Sequence, residues 1–487
     1  MARGQEAGRG SDPALARAID AALNVPALAM GFQGVLIQSL TDGSTLYERN
    51  ADPVFLPASN NKLLTSAATL AILGPNYVYR TRLFRTGPIT RGGTLQGELV
   101  LRGAGDPLLS PRDLDEIARQ VARAGIRRVT GGVRFDDSLF DRQRLGEGWS
   151  WDDEPYYYSA QISALNLNEN LVSVQVLPGR RVGEHARVLI GPTDKYTALV
   201  NTALTGPPKS KPSLVIGRVR GRNILTVSGS LPIDVAAKDN RSVGVTIENP
   251  SRFAAFVLAE RLRRQGVAIA GGVREGAPIS PEAPVVAEHV SVPLSALLRR
   301  LNKPSDNLIA ECLLKTVGAA CRGQGTGGAD GTGAQAARDW LARIGLDVSR
   351  LRMADGSGLS RRNYVSPRNL VRLLVYLHTL PTFPIFYNSL PIAGADGTLR
   401  RRLRGTAAAG NCHAKTGSLA HVSSLSGYVT TRDGEMLAFS ILMNNHLAPN
   451  RDCAAVQDKI VALLASYSRK SALHSNRMNR ISQDLQD

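Results

Sequence analysis

Long apolar runs are missing from this chain. No stretch of its 487 residues reaches 18 consecutive apolar positions, so no transmembrane helix is expected. Residues 1–12 are polar and rich in Gly and Arg, without the apolar h-region of a secretory signal. That leaves a processed chain, a misassigned start or a cytoplasmic protein. Cysteine is scarce too: Cys312, Cys321, Cys412 and Cys453 favour neither a disulfide scaffold nor a metal site. A bridge between Cys412, just before a strand-like stretch, and Cys453, opening the last helix, would tie that helix to the strand. The seven histidines form no H-E-x-x-H and no Cys/His ligand spacing, so neither a metal nor another cofactor is expected. Gly103-Ala104-Gly105 opens no helix with the six-residue glycine spacing of a dinucleotide site. The glycine-rich stretch 323–333 lacks the lysine of a phosphate loop and reads as a flexible connector. Internal repeats are absent as well.

Acidic residues fall short of basic ones, 41 against 59, which gives a net charge of +18. A basic surface can face nucleic acid, a polyanionic cell wall or a membrane surface, or be only a solvated arginine-rich exterior. No zinc-finger, RNP or basic-helix pattern is present, so no nucleic-acid partner is expected. Hydrophobic residues make up 43%, and Gly and Pro punctuate the chain often. Those features fit a globular protein with many turns and, at this length, more than one core.

The stretch that carries chemistry is Pro57-Ala58-Ser59-Asn60-Asn61-Lys62-Leu63-Leu64. Ser59 and Lys62 stand three apart at the start of a helical pattern whose apolar stripe is Leu63, Leu64, Ala67, Leu70 and Ala71. Gly74-Pro75 is its stop signal. Residues three apart share a helix face, so the lysine amine can reach the serine hydroxyl. An amine kept neutral by burial or by a second cation can accept that proton. Pro57 limits how far the helix extends backwards, so Ser59 lies near its positive end, where free N–H groups favour a developing oxyanion. An isolated S-x-x-K is more often an N-cap serine with a solvated lysine. Here, though, Lys62 alone of the ten lysines has serine three positions before it.

Two further stretches change the balance. One is Ser305-Asp306-Asn307, between two helical patterns; the other is Lys415-Thr416-Gly417-Ser418, followed by the strand-like 422–429. Each alone is usually a turn. S-x-x-K, S-D-N and K-T-G in that order are the signature of penicillin-binding proteins and class A β-lactamases. Ser59 and Ser305 lie 246 positions apart, and Ser305 and Lys415 only 110. A compact site does not need 246 residues to join two of its walls, so one or two domains are inserted between them.

Around these motifs the chain reads as helices and short strands. Helices are expected at 14–23, 113–124, 253–265, 293–301, 308–317, 334–344, 370–378 and 452–467. Paired strands are expected at 34–38 and 45–49 around a Thr41-Asp42-Gly43 turn. Strands at 79–85, 94–102 and 129–136 follow, then a small β-rich stretch from about 166 to 244. Trp149–Tyr158 is an aromatic-acidic loop that would ordinarily be a packed surface corner, and Asp355–Arg361 is a turn with a cation at its end.

From about residue 15 to 467 the chain resembles the penicillin-binding protein 4 family, the class C low-molecular-mass D-alanyl-D-alanine carboxypeptidases/endopeptidases (peptidase S13). Besides the three motifs, the resemblance rests on Leu99–Pro107, Trp149–Tyr158, Ser163–Asn170, Asp355–Arg361, Leu390–Leu399 and Ser426–Val429. It implies an α+β multidomain chain: a β-lactamase/transpeptidase-like core, an antiparallel sheet with helices on both faces, carrying two inserted domains. The catalytic domain would span 13–85 and 287–470, inserted domain II 86–165 and 245–286, and a small β-rich domain III 166–244. Residues 1–12 and 471–487 would be loose tails.

The resemblance also implies chemistry. Ser59 would attack the carbonyl between two terminal D-alanines, with Lys62 as base. Ser305 would relay the proton near Lys415, and Asn307 would bond the substrate amide. The N–H groups of Ser59 and Ser418 would hold the oxyanion, while Lys415, Thr416, Gly417 and Ser418 would bind the terminal carboxylate side of the substrate. Asp153, Tyr158 and Arg361 match positions that, in the family, hold the free end of a meso-diaminopimelate side chain. An acid for the ammonium and an arginine for the carboxylate suit a zwitterion. Ala420 falls where some members carry a polar contact, which leaves the preferred side chain open. The expected partners are peptidoglycan peptides, with β-lactams as covalent inhibitors, in an extracytoplasmic, wall-associated setting. Rival readings are a β-lactamase-like hydrolase, against which the insertion and the lack of an evident deacylating glutamate stand, and an inert penicillin-binding sensor or wall-binding module.

Overall fold

The computed structural model describes residues 12–236 and 242–469, so the expected tails lie outside the described residues except for Asp12. Two compact units are formed. One comprises residues up to 76, 294–310 and from 328 onward; the other comprises 77–293 and 311–327.

In the first unit, strands β1 (Phe32–Ser39), β2 (Thr45–Arg49), β3 (His413–Leu419), β4 (Val422–Thr430) and β5 (Met436–Asn444) form one antiparallel sheet in the order β2-β1-β5-β4-β3. The helices of this unit, in chain order, are α1 (Pro13–Leu23), α2 (Asn61–Leu73), α3 (Leu294–Asn302), the first turn of α4 (Asn307–Arg322), α5 (Thr332–Arg343), α6 (Pro367–His378), α7 (Phe383–Ser389) and α8 (Asn450–Ser466). The expected β-lactamase/transpeptidase-like layering is therefore present. Strand side chains alternate between faces. Val35, Ile37, Leu425, Phe439 and Ile441 pack against Leu15 and Ile19 of α1 and Ile460 and Leu464 of α8. The opposite face meets α6. Gly34 points there, and a Cβ on it would lie 2.5 Å from the Phe55 ring and 2.8 Å from Pro367, so only glycine lets the helix approach this closely.

The second unit holds a mixed five-stranded sheet in the order 273–275, 133–136, 99–102, 80–85, 285–290. The first three strands run parallel, and the 80–85 strand pairs antiparallel on both sides. Short strands between 171 and 246 form three smaller sheets. Their core residues Val174 and Leu225 belong to the same apolar cluster as Leu101 and Phe253. The unit division falls within α4, so 311–327, expected in the catalytic domain, group with the second unit.

Several expectations need correction. Five helices begin two or three residues earlier than read, three of them at Pro111, Pro250 and Pro367 and the others at Thr332 and Asn450. The three that open on proline share one cause. In each, Ser110, Asn249 or Ser366 caps the end through its side chain, and proline, having no N–H to leave unpaired, takes the first helical position. The α2 stripe is wrong in kind: every residue from Asn61 to Leu70 is buried, while Ala71 is exposed. Residues 323–327 of the glycine-rich stretch are anchored within the second unit. Gly325 N–H donates to Leu139 O at 2.9 Å and Gly327 N–H to Asp141 Oδ2 at 2.8 Å. Finally, Cys412 and Cys453 are both free and buried, so the postulated bridge is absent. Burial pushes both thiols up, that of Cys453 to about 11. Among the described residues no helix is long and apolar enough to cross a membrane.

Candidate active site

The three motifs meet within the first unit. Ser59 occupies a short 3-10 turn, Ala58–Asn60, immediately before α2. Ala58 is held at φ +46°, a left-handed conformation that costs a non-glycine residue on the order of 1 kcal/mol or more. Neighbours hold it there. Gly358 and Gly417 press on this turn, and a Cβ on Gly417 would lie 2.7 Å from Pro57 O and 2.9 Å from Ser59 N. Asn60 Nδ2 donates to Lys415 O at 2.8 Å and Asn61 Nδ2 to Asp355 O at 2.7 Å, which fixes the junction between the Ser59 turn and α2.

Lys62 has no exposed surface. Its Nζ lies 3.0 Å from Ser59 Oγ, 2.7 Å from Asn307 Oδ1 and 2.8 Å from Ser357 O. In its uncharged form this amine would keep two N–H donors, matching Asn307 Oδ1 and Ser357 O, with its lone pair toward the Ser59 hydroxyl. Burial all around α2 is what holds the lysine inside. Its polar neighbours are satisfied: Thr65 Oγ1 donates to Gly356 O at 2.7 Å, and Ser66 Oγ accepts from Asn302 Nδ2 at 3.1 Å.

The second lysine is equally buried. Lys415 Nζ donates to Ser305 Oγ at 2.9 Å and to Thr416 O at 2.8 Å. Burial, and then the charge of Lys62, hold its amine well below the ordinary lysine range. Ser305 is itself in a left-handed conformation, φ +68°, which turns it off the end of α3 and α4. Between the two motif side chains, Asp306 points inward; burial raises its carboxyl, and Ile309 N–H donates to it at 2.8 Å.

β3 is the edge strand of its sheet. Ala414 N–H reaches outward to Pro391 O at 3.0 Å. By the two-residue alternation of a strand, the N–H groups of Thr416 and Ser418 project the same way, along an edge where an extended substrate can lie. Thr416 Oγ1 is 2.7 Å from Thr398 Oγ1, and Ser418 Oγ accepts from Asn450 Nδ2 at 2.7 Å.

Ser59, Lys62, Ser305, Asn307, Lys415, Thr416, Gly417 and Ser418 thus come together as one constellation. Arg361 belongs to the same unit, where it is exposed and donates to Ala420 O at 2.8 Å. Asp153 and Tyr158 belong to the other unit and pair with each other, Tyr158 Oη donating to Asp153 Oδ1 at 2.8 Å. Sequence reasoning overlooked the Ser357 carbonyl, Asn60, Asn61, Asn302 and Thr398. Asn60 and Asn61 were visible inside the motif, and the Asp355-Gly356-Ser357-Gly358 turn was visible as a turn. Its use as a lysine acceptor had no local sign.

The chain is similar to known proteins along most of its length. A D-alanyl-D-alanine carboxypeptidase of Actinomadura sp. (strain R39) is 40% identical over 97% of this chain and 90% of its own length. Carboxypeptidase DacB of Mycolicibacterium smegmatis is 30% identical, over 88% of this chain and 80% of its own. The crystal structure of penicillin binding protein 4 (dacB) from Haemophilus influenzae superimposes with a TM-score of 0.81 at 25% identity, covering 92% of this chain and 99% of that one. A family model matches residues 15–467, and with it the chain belongs to the D-Ala-D-Ala carboxypeptidase 3 (S13) family.

Proposed function

We propose that this protein is an extracytoplasmic, wall-associated serine-type D-Ala-D-Ala carboxypeptidase and endopeptidase of peptidoglycan stem peptides and cross-links. The observation that carries this reading is the buried Lys62 amine 3.0 Å from Ser59 Oγ, with Lys415 2.9 Å from Ser305.

In this reading Lys62 takes the hydroxyl proton as Ser59 Oγ attacks the penultimate D-alanine carbonyl. The N–H groups of Ser59 and Ser418 hold the resulting oxyanion. Ser305, kept in place by Lys415, relays the proton to the departing nitrogen. The C–N bond then breaks and the amine leaves neutral, with the acyl group on Ser59. Asn307 bonds the substrate amide, and Lys415, Thr416 and Ser418 attract the terminal carboxylate. Water then attacks the ester, and Ser59 recovers its proton as the C–O bond opens. A β-lactam would acylate Ser59 by the same route, with ring opening in place of departure, and release slowly. Asp153, Tyr158 and Arg361 are assigned to the zwitterionic end of the stem-peptide side chain. The insertion is read as domain II (86–165 and 245–286) and the β-rich domain III (166–244).

Ser59→Ala should abolish covalent labelling by a fluorescent penicillin, and retained labelling would refute the nucleophile. Purified sacculi digested with the wild type should release D-alanine and cleaved cross-links. Rapid nitrocefin hydrolysis without peptide turnover would mean a β-lactamase, and acylation without any turnover a sensor.

A further inference from the structure

The first unit also contains a cleft of about 530 Å3 walled by Arg299, Arg300, Lys303, Pro304, Gly397, Thr398 and Arg400. Four of these seven are cations. Lys303 is paired with Asp396 at 2.7 Å. The three arginines are exposed, and among the described residues none forms an ion pair with a carboxylate. Like charges gathered without compensation repel one another, and a bound anion relieves that cost. Guanidinium groups hold carboxylates through paired N–H donors, so an acidic peptide suits such walls.

The position of the cleft says which part of a substrate meets it. Pro304 directly precedes Ser305. Thr398 N–H donates to Lys303 O at 3.1 Å, and the Thr398 hydroxyl touches that of Thr416 at 2.7 Å. The cleft therefore adjoins the end of the constellation formed by Ser305 and Thr416. In the reaction proposed above, on which this step rests, that end faces the leaving group.

We infer that this cleft is a subsite for an acidic leaving strand, occupied by the second stem peptide when the substrate is a cross-link. A carboxypeptidase substrate releases a single D-alanine and places nothing there. A cross-link continues past the departing nitrogen into a peptide with free carboxylates, which the arginines hold.

The test compares wild type with the Arg299→Gln/Arg400→Gln double variant. Arg300 is left in place because its charge acts on the buried Asp306 carboxyl. Three substrates are used: a monomeric stem peptide ending in D-Ala-D-Ala, a cross-linked dimer with free carboxylates, and the same dimer with those carboxylates amidated. The variant should lose about tenfold in kcat/KM on the free dimer, mainly through KM, while the monomer changes by less than about twofold. Amidation should cost the wild type a comparable factor and the variant little. Unchanged dimer turnover, or an equal fall on monomer and dimer, overturns the subsite and leaves the reading of the site intact. Loss of affinity for a free phosphodiester wall polymer, with dimer turnover unaffected, overturns it in favour of a polymer-docking patch. A wild type inert toward every peptide overturns the subsite and the proposed function together.

Discussion

Lys62 lies between three oxygen acceptors with no exposed surface, and Ser59 is the one of them that can give up a proton to it. A positioned base contributes about 10²–10⁴-fold, so Lys62→Ala should slow penicillin acylation by that factor while leaving Ser59 in place. Stopped-flow labelling measures it, and an unchanged rate would remove Lys62 from the base role. Lys415 allows a separate test through pH. Its folded pKa lies below the ordinary 10.5, so between those values the unfolded chain binds more protons than the folded one. Stability therefore rises with pH across that window, and as pH falls it is lost until the buried amine is itself protonated. Lys415→Met should carry no such term. Its melting temperature should gain on the wild type as pH falls from 10.5 through the window, and a difference independent of pH would show that burial does not depress this amine.

At the scale of elements, the turn that carries Ser59 is shaped from outside itself. Gly358 has φ +87°, and a Cβ there would lie 1.8 Å from Ala58 O. That contact is with backbone, so it can be relieved only by moving the turn that carries Ser59. Gly358→Ala should cost at least about 1–3 kcal/mol and reduce acylation as well. Melting temperature and labelling rate together check it; wild-type behaviour in both would mean that the loop yields freely. Helix starts illustrate what local signals can do. The Ser-Pro and Asn-Pro pairs at 110, 249 and 366 were readable as cap plus first turn, and neglecting them shortened three helices. By contrast, nothing in Leu63, Leu64, Ala67 and Leu70 alone says that α2 is enclosed on all sides. Its threonines and serine look like a solvent face until their acceptors on Gly356 and Asn302 come into place.

Across the whole molecule, cysteine reactivity reports how each thiol is placed. Cys321 is exposed, and the thiols of Cys312, Cys412 and Cys453 are buried. A thiol titration of the native protein should therefore find one fast-reacting group, rising to four after denaturation without reductant. Two groups only after denaturation would restore a bridge. The charge of +18 is likewise given spatial meaning by folding: Arg299, Arg300 and Arg400 come from two segments a hundred residues apart and line one cleft.

Ser59 with Lys62, Ser305 with Asn307, and Lys415 through Ser418 were all legible in the chain by themselves, because each set is local and chemistry demands those residue types at that spacing. So were the antiparallel hairpin at 32–49 and the need for an insertion. Only the tertiary structure decided that Lys62 is enclosed, that Ser357 offers it a carbonyl, that the 323–327 glycines are anchored and that the cysteines stay apart. Those facts depend on partners hundreds of positions away, such as Lys62 with Asn307 and Asn60 with Lys415. Burial and hydrogen-bond pairing at such separations leave no periodicity or spacing behind in the residues that take part.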